Sequence, residues 1–333
     1  MHGRNTIRFI LTVSLLITLV SEGAPASSRN QNSGNTNNSV LPSLTLYTNG
    51  FATGPQLALW RAIKQGRIQE NYTIQVKWWQ DLDELYGTLL AGAGDFWVGH
   101  TDIFVKAALQ GAPIQLLLTT GWRKFYLVST DTNTLHIKDF KNKSLAVTPP
   151  GSPAVPILRA LADQEYDDVS FVFEPPLTLL KKLIQGQTTA ALLPEPLVTR
   201  ALSANPRLVL GENVAELYTK QSGYLRGMPI AGIAVNRETA RTCPEIIAWI
   251  AKETMKQARI LAPSPQQGVD DLPQAFQALM PRDVIEASLQ REQLDAAYSY
   301  EIKSEIEAYM KMILSGSKDA DAPLPARLFW QHQ

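Results

Sequence analysis

The sequence has one cysteine, Cys243, and four histidines among 333 residues. One thiol cannot close an internal disulfide, so a disulfide-stapled secreted scaffold is excluded, and a lone thiol among scattered histidines cannot build a zinc site. Neither charge is in excess: Lys and Arg together number 31, as do Asp and Glu. There is no basic field to hold nucleic acid, and a charged partner must be met by local groups. Reactive fingerprints are missing too. No G-x-S-x-G elbow, H-E-x-x-H pair, G-K-[ST] phosphate loop or G-x-G-x-x-G turn occurs. Ser152 has no base beside it in sequence, and Cys243 has neither histidine nor lysine next to it, so neither reads as a nucleophile. No catalytic residue, cofactor or metal ligand is assigned.

Long apolar runs are also scarce. The one at the N-terminus, residues 9–20, is interrupted by Thr12, Ser14 and Thr18 and is too short for an ordinary membrane span. It follows Arg4 and Arg8 and precedes Ala24-Pro-Ala26. A basic start, a short apolar stretch and small residues two apart read as a signal peptide over residues 1–26, cut after Ala26, with an uncleaved N-terminal anchor as the alternative. No cysteine lies nearby to carry a lipid. Residues 27–43 are rich in Asn and Ser, nearly free of apolar side chains, and read as a flexible linker. A large exported chain without disulfides suits a bacterial periplasm.

What is present is alternation. Strand candidates are residues 44–48, 74–79, 96–98, 114–118, 125–129, 144–147, 170–173, 189–193, 207–210 and 230–235. Several are apolar throughout, as expected of strands covered on both faces. Helical spacing marks residues 55–65, 177–185 and 242–261, the last with a capping box predicted from Thr242 and Glu245. This β-α alternation predicts an α/β protein with parallel sheets, and after Val235 helices dominate.

Polar residues recur at the carboxyl ends of these strands, each just ahead of a helix. Asn49 and Thr53 precede Pro55; His100 and Thr101 follow Val98-Gly; Gly151 and Ser152 precede Pro153; Glu195 precedes Pro196. Ligands of open α/β sheets bind at such ends, where helix N-termini offer free N–H groups to an oxyanion. The same residue types are the ordinary helix caps, so both roles stand open for each, Glu195 included. Trp122 falls in a turn between two strands, where it serves as a ligand-facing ring or as rim packing.

Taken in order, several stretches resemble the substrate-binding proteins of ABC importers, in the nitrate/sulfonate/taurine and thiamine-precursor group. They are GPQLALWRAIKQGRI, LLAGAGDFWVGHTDIFVKAALQGAPIQLL, LHIKDFKNKSLAVTPPGSPAVPILRAL, FEPPLTLLKKLIQGQTTAALLPEPLVTRAL and PIAGIAVNRETARTCPEIIAWIAKETMKQA. Two departures stand out. Asn142 replaces a glycine in a left-handed turn that asparagine also adopts, and Pro194 replaces a frequent tryptophan before the Glu-Pro pair. The resemblance implies a two-lobed periplasmic-binding-protein fold of type II, each lobe a mostly parallel sheet flanked by helices, with the ligand between them. Lobe I would be 44–129 plus 228–333 and lobe II 130–227, with crossings near Ser129 and Met228. It also implies a monomer that binds a small anion or zwitterion without catalysis and delivers it to an ABC permease and its ATPase. Its pocket candidates are Asn49, Thr53, His100, Thr101, Gly151, Ser152 and Glu195, to which the turn position adds Trp122. A ligand-sensing module for a membrane receptor and an enzyme on the same fold are the alternatives.

Overall fold

The computed structural model describes residues 41–333 except 52, 67, 162–165, 318, 319, 332 and 333. The predicted signal peptide, most of the predicted linker and His332 lie outside the described residues.

In chain order the elements are β1 (Ser43–Thr48), α1 (Gly54–Gln65), β2 (Thr73–Trp78), α2 (Leu82–Leu90), β3 (Phe96–His100), α3 (Thr101–Leu109), β4 (Ile114–Gly121) and β5 (Phe125–Ser129). Next come β6 (Ser144–Val147), α4 (Ala154–Leu161), β7 (Ser170–Phe173), α5 (Pro176–Ile184), β8 (Ala190–Pro194), α6 (Leu197–Ala204), β9 (Val209–Asn213) and α7 (Val214–Ser222). The chain closes with β10 (Ala231–Asn236), α8 (Arg237–Thr242), α9 (Pro244–Leu261), α10 (Gln274–Leu279), α11 (Arg282–Ser288), β11 (Ala297–Tyr298) and α12 (Lys303–Ile313).

The strands form two sheets. The first has the order β11-β4-β10-β3-β1-β2 and the second β7-β6-β8-β5-β9. Both are mixed. In the first, β1 runs parallel to β2 and β3, while β10 lies antiparallel between β3 and β4. In the second, β6 runs parallel to β7 and β8, while β5 lies antiparallel between β8 and β9. The two-residue β11 also runs antiparallel to its neighbour β4. Only three residues separate β4 from β5, too few for the helical crossover that a parallel return requires. Because β5 belongs to the second sheet, the chain passes from the first sheet to the second through residues 122–124. It returns through residues 223–230.

Burial follows this layering. The central strands β3, β5 and β8 are almost wholly covered, whereas edge strands β2 and β7 expose much of their length. Trp79 is buried and donates from Nε1 to the Val98 carbonyl at 3.0 Å, while Trp78 is partly exposed on its edge strand. Asn142 takes the left-handed conformation, with φ 59°. The capping box is not formed. Thr242 ends α8, its hydroxyl donating back to the Glu238 carbonyl at 2.8 Å, and Cys243 precedes α9 with no side-chain cap. Pro244 explains the shift: its fixed φ suits the first helical position and sets the start there. Among the described residues no helix is long and apolar enough to cross a membrane.

Candidate functional site

Register brings the strand ends together. Ala231, which opens β10, pairs with His100 at the end of β3 and with Gly121 at the end of β4. Phe125, which opens β5, pairs with Pro194 at the end of β8. The crossings stitch these levels to each other. Glu195 N donates to the Lys124 carbonyl at 3.1 Å, Met228 N to the Trp122 carbonyl at 3.1 Å, and Ile230 N to the Gly121 carbonyl at 3.0 Å. The carboxyl ends of parallel strands from both sheets thus converge on residues 122–124.

At this point lies a small space of about 20 Å³, about the volume of one water, bordered by Asn49, Gln56, Trp79, His100, Lys124 and Ile230 among others. Gln56 braces the loop before α1, donating from Nε2 to the Asn49 carbonyl at 2.9 Å and accepting from the Thr48 hydroxyl at 2.5 Å. Thr53 is fully buried, precedes α1 without making a side-chain cap, and leaves its Oγ1 without a partner. His100 and Thr101 open α3; His100 Nδ1 and Thr101 Oγ1 are buried and unpartnered. Burial lowers the His100 pKa to about 4, against the opposing pull of Asp102 and with help from Lys124 and Lys106. The ring is therefore neutral near pH 7 and offers one donor and one acceptor.

Lys124 is the residue that sequence reasoning passed over. It is 5% exposed, borders the space, and its Nζ has no hydrogen-bond partner. Burial lowers its pKa, while Glu292 and Glu195 draw it back up. Glu292, from the segment after α11, is partly exposed as a residue, yet its Oε1 is buried and unpartnered. Burial raises its pKa to about 7, opposed by Lys124 and by hydrogen bonds from Ser288 and the Gly54 N–H, with Glu195 adding to the rise.

Of the remaining predicted residues, Glu195 adjoins this cluster through its N–H bond to the Lys124 carbonyl, whereas Trp122, Gly151 and Ser152 do not border the space. Glu195 is 1% exposed, and both oxygens are engaged within the chain: Oε2 accepts from Thr199 N at 3.1 Å and Thr199 Oγ1 at 2.9 Å, and Oε1 from Arg291 Nε at 2.6 Å. It caps its own helix and bonds to the segment after α11. Trp122 is buried beneath the Arg226 guanidinium, 5.2 Å from its ring centre, with Nε1 donating to the Asp295 carbonyl at 3.3 Å. It pins the crossing and does not border the space. Ser152 is buried and caps α4, its Oγ accepting from Ala154 N at 3.3 Å. Gly151 is exposed with φ 75°, a conformation suited to glycine, and a Cβ there would lie 3.6 Å from Leu82 of α2. Ser152→Ala should lower stability by about 1 kcal/mol, the usual cost of a lost cap, as read by urea denaturation.

A larger hollow of about 420 Å³ lies beside Arg237, Arg241 and Trp330. Asn236 pairs there with Ile114, at the far end of the sheet from His100 and Gly121. Among the described residues no group of three or more His, Cys, Asp or Glu side chains is placed to hold a metal ion.

No protein-family model and no curated protein matches the sequence. Solved structures match the fold. An ABC transporter protein from Parabacteroides distasonis superposes with a TM-score of 0.70 at 15% identity, over 88% of this chain and 99% of the other. The periplasmic aliphatic sulphonate binding protein SsuA from Escherichia coli gives 0.67 at 14% identity, over 88% and 94%. The periplasmic nitrate-binding protein NrtA from Synechocystis PCC 6803 gives 0.62 at 13% identity, over 85% and 84%. The chain shares the two-lobed α/β fold of these proteins.

Proposed function

We propose that this protein is a periplasmic substrate-binding protein that captures a small anionic or zwitterionic molecule where the two sheets meet and delivers it to an ABC permease and its ATPase. The observation that carries this reading is a set of buried polar atoms without hydrogen-bond partners: His100 Nδ1 and Lys124 Nζ on residues that border the space, Thr53 Oγ1 and Thr101 Oγ1 at the starts of α1 and α3, and Glu292 Oε1 beside Gly54. A buried polar group left unmet costs about 1–3 kcal/mol, more when charged. Several together are costly as core and useful as a recognition surface, since a ligand that meets them gains what the folded chain alone does not. Their place at the carboxyl ends of parallel strands, next to the N-termini of α1 and α3, is where open α/β sheets hold ligands. The crossings at 122–124 and 223–230 are the natural hinge for closure of lobe I on lobe II.

A thermal-shift screen of the mature chain against sulfonates, nitrate, taurine, pyrimidines and amino acids tests the reading. A compound at a hundredfold excess over its Kd stabilises the fold by about 2.7 kcal/mol. Lys124→Met should abolish most of that shift without itself unfolding the protein, because it replaces an unpaired buried cation by an apolar chain of similar length. A shift of the same size in Lys124→Met would place the site elsewhere.

A further inference from the structure

We propose that Glu292 determines ligand class at this site: its carboxylate takes the place at the N-terminus of α1 that a ligand oxyanion would fill, so the site excludes bare oxyanions and accepts molecules that present an N–H or ammonium donor beside an acceptor. This rests on the binding reading above. Helix α1 begins with Gly54 and Pro55 and has no acidic residue in its first turn, and Thr53 makes no side-chain cap. Its terminal donors are served from a distant part of the chain. The Glu292 carboxylate packs against Gly54 at the start of α1, and a Cβ on Gly54 would run into it, so the absence of a side chain there is what admits it.

The second observation is the pair of open groups. Lys124 Nζ is a buried donor without a partner, and Glu292 Oε1 is a buried acceptor without one. Each shifts the proton affinity of the other, so they share one low-dielectric region. A group lodged between them must accept from the ammonium and donate to the carboxylate. A zwitterion or the N–C=O edge of a nitrogen heterocycle does both. A sulfonate or nitrate group only accepts, and wherever Glu292 is ionised it meets a negative charge at the helix end, which otherwise favours anions.

The test compares ethanesulfonate with taurine, which differ by one amine, on wild type, Glu292→Gln and Lys124→Met. Titration calorimetry is run at about pH 8, above the range in which Glu292 titrates. Gln keeps the shape and an acceptor for the Gly54 N–H while removing the charge. The proposal expects Glu292→Gln to bind ethanesulfonate at least roughly tenfold more tightly than wild type does. It also expects any preference of wild type for taurine to shrink. No gain for ethanesulfonate, or wild-type binding of ethanesulfonate as tight as that of taurine, overturns the proposal. The two readings fail separately. If a screened compound depends on Lys124 yet Glu292→Gln gains nothing, only the assignment of Glu292 falls; if no compound depends on Lys124, the binding site itself is misplaced.

Discussion

Arg291→Met should destabilise the protein by about 3 kcal/mol, the low end of the cost of stripping one partner from a buried ion pair, because the Glu195 carboxylate is buried and the Arg291 side chain is 29% exposed. The Glu195 carboxylate has no exposed surface, and Arg291 supplies it with a 2.6 Å bond while also donating from Nη2 to Thr199 Oγ1 at 2.6 Å. Without the guanidinium, Glu195 keeps only the two donors of Thr199 as hydrogen-bond partners, and its charge loses its bonded cation. Adding Glu195→Gln removes that charge, and the double variant should recover most of the loss. The coupling energy of the cycle, from urea denaturation, reports the pair. The effect is large because of where the pair sits: α6 follows a strand of the second sheet, Arg291 follows α11, and Tyr126 of β5 donates to the Arg291 carbonyl at 2.8 Å. Glu195→Gln alone should leave ligand affinity nearly unchanged, since both oxygens are engaged within the chain. A cost below about 1 kcal/mol for Arg291→Met, the level of a surface pair, would mean that the pair is solvated in solution.

Stability against pH should separate two buried groups of opposite behaviour. His100 has a folded pKa of about 4 against 6.5 unfolded, so below pH 6.5 the unfolded chain binds a proton that the native one does not. Its contribution is present above pH 6.5 and is lost as pH falls toward 4. Glu292 has a folded pKa of about 7 against 4.5 unfolded, so the native chain holds the extra proton. Its contribution is present below pH 4.5 and is lost as pH rises toward 7. In the shared window, from about 4.5 to 6.5, the two slopes oppose each other at about 1.4 kcal/mol per pH unit each. The groups that set them are largely separate: Asp102, Lys124 and Lys106 face His100, while Lys124, Glu195, Ser288 and Gly54 face Glu292. Relative to wild type, Glu292→Gln should lose stability more steeply as pH falls, and His100→Gln should lose it more steeply as pH rises. Urea denaturation across the window checks both signs, and parallel curves for all three proteins would show that neither group is buried as described.

The strands were legible because their signal is local. All ten sequence-predicted strands are present, and residues 125–129, 144–147 and 170–173 coincide with β5, β6 and β7. Sheet membership was less so. Residues 122–129 read as a turn and a strand, and nothing local says that β5 joins the second sheet rather than the first. The two-residue β11 carries no periodicity at all. The site divides the same way. Asn49, Thr53, His100 and Thr101 stand at strand-to-helix junctions that composition marks, whereas Lys124 and Glu292 sit in polar stretches that look solvated. Their burial is created by tertiary placement: three residues that must carry the chain between sheets, and a C-terminal segment folded back over Gly54. Glu195 shows the converse. Its junction was plain in sequence, but Arg291, 96 positions away, takes up one of its oxygens.

The most direct measurement is a crystal structure of the protein with a compound found in the screen. The account predicts ligand density at the strand ends, with an acceptor atom in hydrogen-bond reach of Lys124 Nζ, a donor facing Glu292 Oε1, and His100 alongside. Density in the hollow beside Arg237 and Trp330, with Lys124 still unpartnered, would contradict it.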